Sequence, residues 1–248
     1  MHQKFSLVFI SLILLAFLNC DSTSDDTSGD SADSLYKGNW AVTFTGDYTG
    51  FVTVQIDKDG KFSNDNFPLA DSSGTIYYDS IKGSVNSEGV FTETIIIYNA
   101  MAVQCATFAG SLDQNSDKGS GTFKNTINGL TGTWKATKYE GELNKFCGAW
   151  FLSFTGGYTG KSMIVINPDL TITGDKILVK DAKNITYSNK VIGKIDVNGN
   201  VTDAKITNNS MNMQVGIFTG TIADENSANG TLQITYNGTS ANWTAVKK

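Results

Sequence analysis

The stretch "GNWAVTFTGDYTG" (Gly38–Gly50) returns as "GAWFLSFTGGYTG" (Gly148–Gly160), 110 residues further along the chain. The echo extends well beyond these thirteen positions. At the same offset Gly83 and Val85 match Gly193 and Ile195, Gly89 matches Gly199, and Phe108 and Gly110 match Phe218 and Gly220. With one residue dropped, "GTF" (Gly121–Phe123) matches "GTL" (Gly230–Leu232), and Trp134 matches Trp243. Solenoid repeats run to roughly 20–50 residues, so a period this long marks a duplicated domain. The copies are placed at 35–139 and 147–248, joined by a linker at 140–146.

Inside each copy the apolar period is two. Trp40, Val42 and Phe44 alternate with Ala41, Thr43 and Thr45; Val52, Val54 and Ile56 alternate with Thr53 and Gln55. The second copy repeats this with Trp150, Leu152 and Phe154, then Ile164 and Ile166. Such alternation belongs to half-buried antiparallel strands. Turn residues sit between the runs: "DKDG" (Asp57–Gly60), "NSEG" (Asn86–Gly89), "NPD" (Asn167–Asp169) and "VNGN" (Val197–Asn200). Their spacing predicts an all-β chain with about seven or eight strands per copy, in a meander without helical crossovers. So many strands must close up to hide their edges, which predicts two tandem antiparallel β-barrels; β-sandwiches are the alternative. Each copy carries one Trp on its first strand and one on its last. In a closed meander those strands are neighbours, so Trp40 is expected beside Trp134 and Trp150 beside Trp243, plugging each seam.

The N-terminus reads "MHQKFSLVFISLILLAFLNC" (1–20). Lys4 precedes an apolar run from Phe5 to Leu18 that is short for a membrane span and suits a signal peptide. "FLNC" (Phe17–Cys20) resembles the lipobox of bacterial lipoproteins, in the looser form found in spirochaetes. That resemblance implies lipidation of Cys20 by palmitate-type acyl groups and anchoring in the outer membrane facing the cell surface. The segment "DSTSDDTSGDSADS" (21–34) holds five Asp and five Ser and nothing apolar larger than Ala32. It is read as a disordered acidic tether, with ends about 20 Å apart as a coil and about 45 Å apart at full stretch.

The repeated Gly-x-Trp, Phe-x-Gly-x-Tyr and closing Gly-x-Trp pattern is similar to the small calycin-like barrels of bacterial surface lipoproteins. The resemblance implies the barrel fold and carries no ligand residues with it.

Composition narrows the chemistry. The formal net charge is −5, and all 19 basic residues are lysines. Without arginine the chain lacks the planar fork suited to phosphates and base edges, so nucleic acid is not expected as a partner. The only histidine is His2. A mature chain without it has no Ser-His-Asp or Cys-His machinery and lacks the commonest zinc ligand, so the chain is read as a non-enzyme without cofactor or metal. "DKDG" is read as a hairpin turn, since the remaining ligands of a calcium loop are missing.

Three cysteines in an exported chain leave one over. With Cys20 acylated, Cys105 and Cys147 are an even pair, and a disulfide between them would staple the copies together; buried free thiols are the alternative. Tyr48 and Tyr158, in the repeated "YTG", are candidate partner contacts or ring caps on the barrel rim. Lys248 presents a C-terminal lysine suited to a kringle-type lysine pocket. The six Asn-x-Ser/Thr sites from Asn184 to Asn242 read simply as Asn-rich loops. Two functions follow as expectations. The first is a lipid-anchored surface protein that displays two barrels for adhesion to a host or envelope macromolecule. The second is an envelope carrier of a small apolar ligand, or a structural envelope lipoprotein; large inward residues argue against a hollow interior.

Overall fold

A computed structural model of the chain describes residues 34–224 and 226–248. The expected signal peptide, the expected acylation site Cys20 and the expected tether up to residue 33 lie outside the described residues. Ser34, placed in the tether by sequence, already belongs to the folded body: its amide donates to the Lys58 carbonyl at 2.8 Å.

All regular elements described are strands. Barrel one comprises β1 (Gly38–Gly46), β2 (Tyr48–Ile56), β3 (Lys61–Asp71), β4 (Ile76–Val85), β5 (Phe91–Tyr98), β6 (Val103–Asp113), β7 (Lys118–Asn125) and β8 (Thr131–Tyr139). Barrel two comprises β9 (Gly148–Gly156), β10 (Tyr158–Ile166), β11 (Thr171–Asp181), β12 (Thr186–Ile195), β13 (Val201–Asn208), β14 (Met213–Asp224), β15 (Ser227–Ile234) and β16 (Ser240–Lys247). Successive strands pair antiparallel, β8 returns to β1, and β16 returns to β9, so each copy is a closed eight-stranded barrel. The sandwich alternative falls.

Local chemistry sets the corners. Asp57 Oδ1 accepts the amides of Asp59 and Lys61 at 2.9 and 2.8 Å, so "DKDG" is the β2–β3 hairpin turn. Asp71 and Asp181 cap the β3–β4 and β11–β12 turns in the same way. Register shifts recur between Asn64 and Phe67 on β3 and between Gly174 and Ile177 on β11. Such bulges bend a strand, which a closing barrel needs.

The tryptophan expectation holds for the strands, although the ladder does not set the two tryptophans of a barrel directly opposite each other. In the β1–β8 ladder Trp134 stands opposite Phe44, while Trp40 stands opposite Lys138. In barrel two Trp243 stands opposite Phe154, and Trp150 opposite Lys247. The two tryptophans of each barrel therefore stand on rungs four residues apart along the first strand, and in barrel two both indoles line one small void. Trp134 stacks on Phe108 at 4.5 Å, and Trp243 on Phe218 at 4.6 Å. Trp40 and Trp150 are fully buried, each donating its Nε1–H at 2.8 Å to the carbonyl four residues earlier, Tyr36 and Phe146. Phe146 was assigned to the linker by sequence; it is 1% exposed and belongs to the core of barrel two.

The two barrels touch through outward-facing apolar residues. Ala41, Phe51 and Ala70 of barrel one and Ala149, Met163 and Val165 of barrel two form one buried cluster. Thr43 donates to Asn167 Oδ1 at 2.7 Å across this boundary, and Lys176 pairs with Asp47. That ammonium, helped by the Thr131 amide, holds the Asp47 carboxyl below its ordinary range.

Candidate functional site

One end of barrel one is plugged by Trp40 and Tyr36. The other end opens into a cavity of about 220 Å³. It lies where β2 begins, β3 ends, β4 begins, β5 ends and β6 begins. Tyr48, Tyr77, Tyr98 and Phe123 form its aromatic wall; Leu69, Ile96 and Ala106 line it deeper; Met101 and Ile127 stand at its exposed rim.

Tyr48 and Tyr158 are not exposed contacts. They are 5% and 3% exposed, with their rings turned inward. Tyr48 Oη accepts the side-chain amides of Asn125 and Asn128 at 3.0 and 2.8 Å. Tyr158 Oη accepts that of Asn237 at 3.3 Å. Tyr77 packs edge-on against Tyr48 and Tyr98, with centroids 6.2 and 5.7 Å apart, and donates its hydroxyl to Asp71 Oδ2 at 2.9 Å. Burial, followed by that carboxylate, pushes the Tyr77 hydroxyl up to about 12.

Into this cavity β4 delivers Asp79. Its ladder partners are Phe67 on β3 and Tyr98 on β5, so it faces inward between two rings. The residue is 4% exposed, and Oδ1 has no hydrogen-bond partner. Burial pushes its carboxyl up to about 7. A buried carboxyl without a partner costs several kcal/mol when ionised, so the position is not one that packing selects. Sequence reasoning passed over it. The available signal was the repeat itself: the equivalent residue of barrel two is Asn189, which is also buried.

The disulfide expectation is corrected. Cys105 and Cys147 are both buried free thiols. Cys105 lies on the inner face of barrel one, beside the cavity, with Sγ 3.5 Å from the Ile96 carbonyl. Cys147 lies at the start of barrel two and donates to the Asn167 carbonyl at 3.3 Å. Burial raises both thiols, that of Cys105 to about 12. Lys248 is exposed, and its backbone amide is held by the Ala149 carbonyl at 2.9 Å. No group of three or more acidic, Cys or His side chains placed to hold a metal occurs among the described residues.

A second depression, about 750 Å³, runs between the barrels. The polar side chains on its walls include Thr43, Thr45, Ser120 and Lys135 from one side and Asn167, Thr171 and Thr173 from the other. Lys190 lies 3.1 Å from Asp175 Oδ1 there, an ion pair without hydrogen-bond alignment.

No family model matches the chain, and no curated protein matches it. Among solved structures it is similar to the Burkholderia oklahomensis agglutinin, at 8% identity over 85% of this chain and 95% of that one, with a TM-score of 0.26. It is also similar to kievitone hydratase from Nectria haematococca, at 10% identity over 89% and 92%, with the same TM-score. Similarity this low transfers neither activity nor ligand. The expectation that the chain is a non-enzyme is withdrawn, a hydratase being among the similar structures.

Proposed function

We propose that the chain is a binding protein that holds a small ligand in the mouth of barrel one. The observation that carries this is Asp79: a buried carboxyl with an unpartnered oxygen, facing a cavity walled by four aromatic rings. Barrel two builds the same fold with an amide there, so the fold does not require the acid. Few polar groups converging in an apolar concavity is the usual make-up of a ligand site. The test is a methyl-detected NMR titration of the mature chain with cyclohexanol. Shifts are expected at Leu69, Ile96 and Met101, and Ala106→Phe, which fills the cavity, should remove them. Unmoved methyl signals at saturating cyclohexanol would end the reading.

A second reading is favoured by the cleft between the barrels. Its Ser, Thr, Lys and Asp lining suits a polar macromolecular partner, and the lipobox-like "FLNC" supports display of both barrels from an acylated Cys20 at the cell surface. The expected result is an N-terminal Cys20 peptide carrying acyl mass, from a body digested when intact cells are treated with protease. An unmodified Cys20, or a body resistant on intact cells, counts against display.

A further inference from the structure

We infer that the mouth of barrel one takes a small organic cation, an ammonium group on a compact apolar body, with Asp79 as its counter-ion. This rests on the reading of that mouth as a ligand site and specifies what enters it.

The charge in the cavity has one sign. Among the described residues Asp79 is the only charged side chain lining it, although the chain has 19 lysines to offer. Asp71 stands behind Tyr77 and adds a second carboxylate near the rim. An anion would meet both without a compensating donor. A neutral hydroxyl could satisfy one oxygen of Asp79 but would leave the charge of the carboxylate unanswered.

The aromatic wall favours the same ligand. The hydroxyls of Tyr48 and Tyr77 are engaged, with two Asn amides and with Asp71 respectively. These bonds fix the rings and leave π surface to face the cavity. Cations gain about 0.5–2 kcal/mol from such faces, more as water is excluded. A buried carboxylate beside aromatic rings therefore discriminates by charge, and the apolar wall takes the ligand's body. The volume, about 220 Å³, is below the roughly 300–1,000 Å³ of drug-sized pockets, so the body must be compact.

The second barrel is an internal comparison. There Asn189 replaces Asp79, Asn208 replaces Tyr98 and Val215 replaces Cys105. The acid, a ring and the thiol change together, so the feature belongs to one mouth and not to the fold.

Binding of this kind is coupled to pH. The titratable groups around Asp79 are Tyr48, Tyr77, Tyr98, Cys105 and Asp71. Burial raises the Tyr48 hydroxyl above its ordinary value, and Tyr77 and Cys105 each titrate near 12. With Asp79 near 7, its ionised fraction falls from about nine-tenths at pH 8 to about 3% at pH 5.5, so cation affinity should drop about 30-fold.

The experiment is calorimetry on the full mature chain with cyclohexylammonium, cyclohexanol and cyclohexanecarboxylate at pH 8 and pH 5.5. At pH 8 the ammonium should bind at least about tenfold more tightly than the alcohol, and the carboxylate should not bind. Asp79→Asn, an amide that barrel two already accommodates, should abolish both the ammonium preference and the pH dependence. Equal binding of ammonium and alcohol at pH 8, or a preference that survives Asp79→Asn, overturns the cation assignment while leaving the ligand site standing. Failure of all three probes overturns the assignment and the site together.

Discussion

Between pH 4 and pH 8 the folded chain should lose about 4 kcal/mol of stability relative to its Asp79→Asn variant. Burial raises the Asp79 carboxyl from 3.8 to about 7 in the native state. The unfolded chain releases that proton near 3.9, so between the two values the native state holds the extra proton. Stability then falls as pH rises, by about 1.4 kcal/mol per unit, and levels off above 7. Asp47, Asp113, Asp181 and Asp196 shift the other way: their native values are lowered, so their contribution is present above the unfolded value and lost only as pH drops below about 4. His2, the sole histidine, lies outside the described residues. The pH 4–8 window therefore isolates Asp79. Urea unfolding of both proteins at pH 4.5, 6, 7 and 8, at constant ionic strength, should give curves that meet at low pH and separate above it, with Asp79→Asn the more stable at pH 8. Parallel curves would mean that Asp79 is ionised in the folded state and solvated, and the account of the mouth would go with it. A residue that costs this much above neutrality, where its sister barrel keeps an amide, has a role other than folding.

The barrels were legible because two independent signals agree. The repeat fixes the unit, and period-two alternation fixes which residues point inward. Adjacency of first and last strands followed from closure alone. Which residues meet across that seam did not follow, because strands in a barrel are tilted and staggered, so the ladder partner depends on the shear of the whole sheet. Trp134 thus stands opposite Phe44 and not Trp40. The interface between barrels left a trace that the inward pattern masked. In "KSMIVI" (161–166) apolar residues fall on both parities, and Met163 and Val165, outward by alternation, are buried against the other barrel. Asp79 was hidden for a different reason. In "YYDSIKG" (77–83) it shares the parity of Tyr77 and Ile81, an inward position, but a single acid in a strand-rich chain carries no spacing signal. Only aligning the two copies, Asp79 on Asn189, singles it out. The thiols mislead because even counting says nothing of distance: Cys105 faces the inside of one barrel, and Cys147 binds a carbonyl at the start of the other.

Gly121→Ala should destabilise barrel one by about 3 kcal/mol or more, among the largest effects of any single methyl added to this chain. Gly121 on β7 pairs with Gly110 on β6, and the indole of Trp134 lies flat over the two. Trp134 is fully buried, stacks on Phe108, and donates its Nε1–H to the Ala109 carbonyl at 3.0 Å. A Cβ on Gly121 would collide with that same carbonyl and stand 2.6 Å from Trp134 Nε1. Barrel two repeats the device with Gly220, Gly230 and Trp243, whose Nε1–H donates to the Thr219 carbonyl at 3.0 Å. The paired glycines and the indole are thus one unit in each barrel, and the repeated Phe-x-Gly, Gly-Thr and closing Trp of the sequence are its parts. Gly129→Ala is the control: it sits at a turn with φ of +75°, where the backbone alone disfavours a side chain, and a Cβ there meets nothing within 4 Å, so the cost should stay near 1–2 kcal/mol. Trp134→Phe tests which collision dominates. The Ala109 carbonyl is backbone and cannot rotate away, so Trp134→Phe should fail to rescue Gly121→Ala in thermal unfolding. Rescue by more than about 1 kcal/mol would place the strain in the indole, and a Gly121→Ala cost below that of Gly129→Ala would show that Trp134 does not rest on the glycine pair.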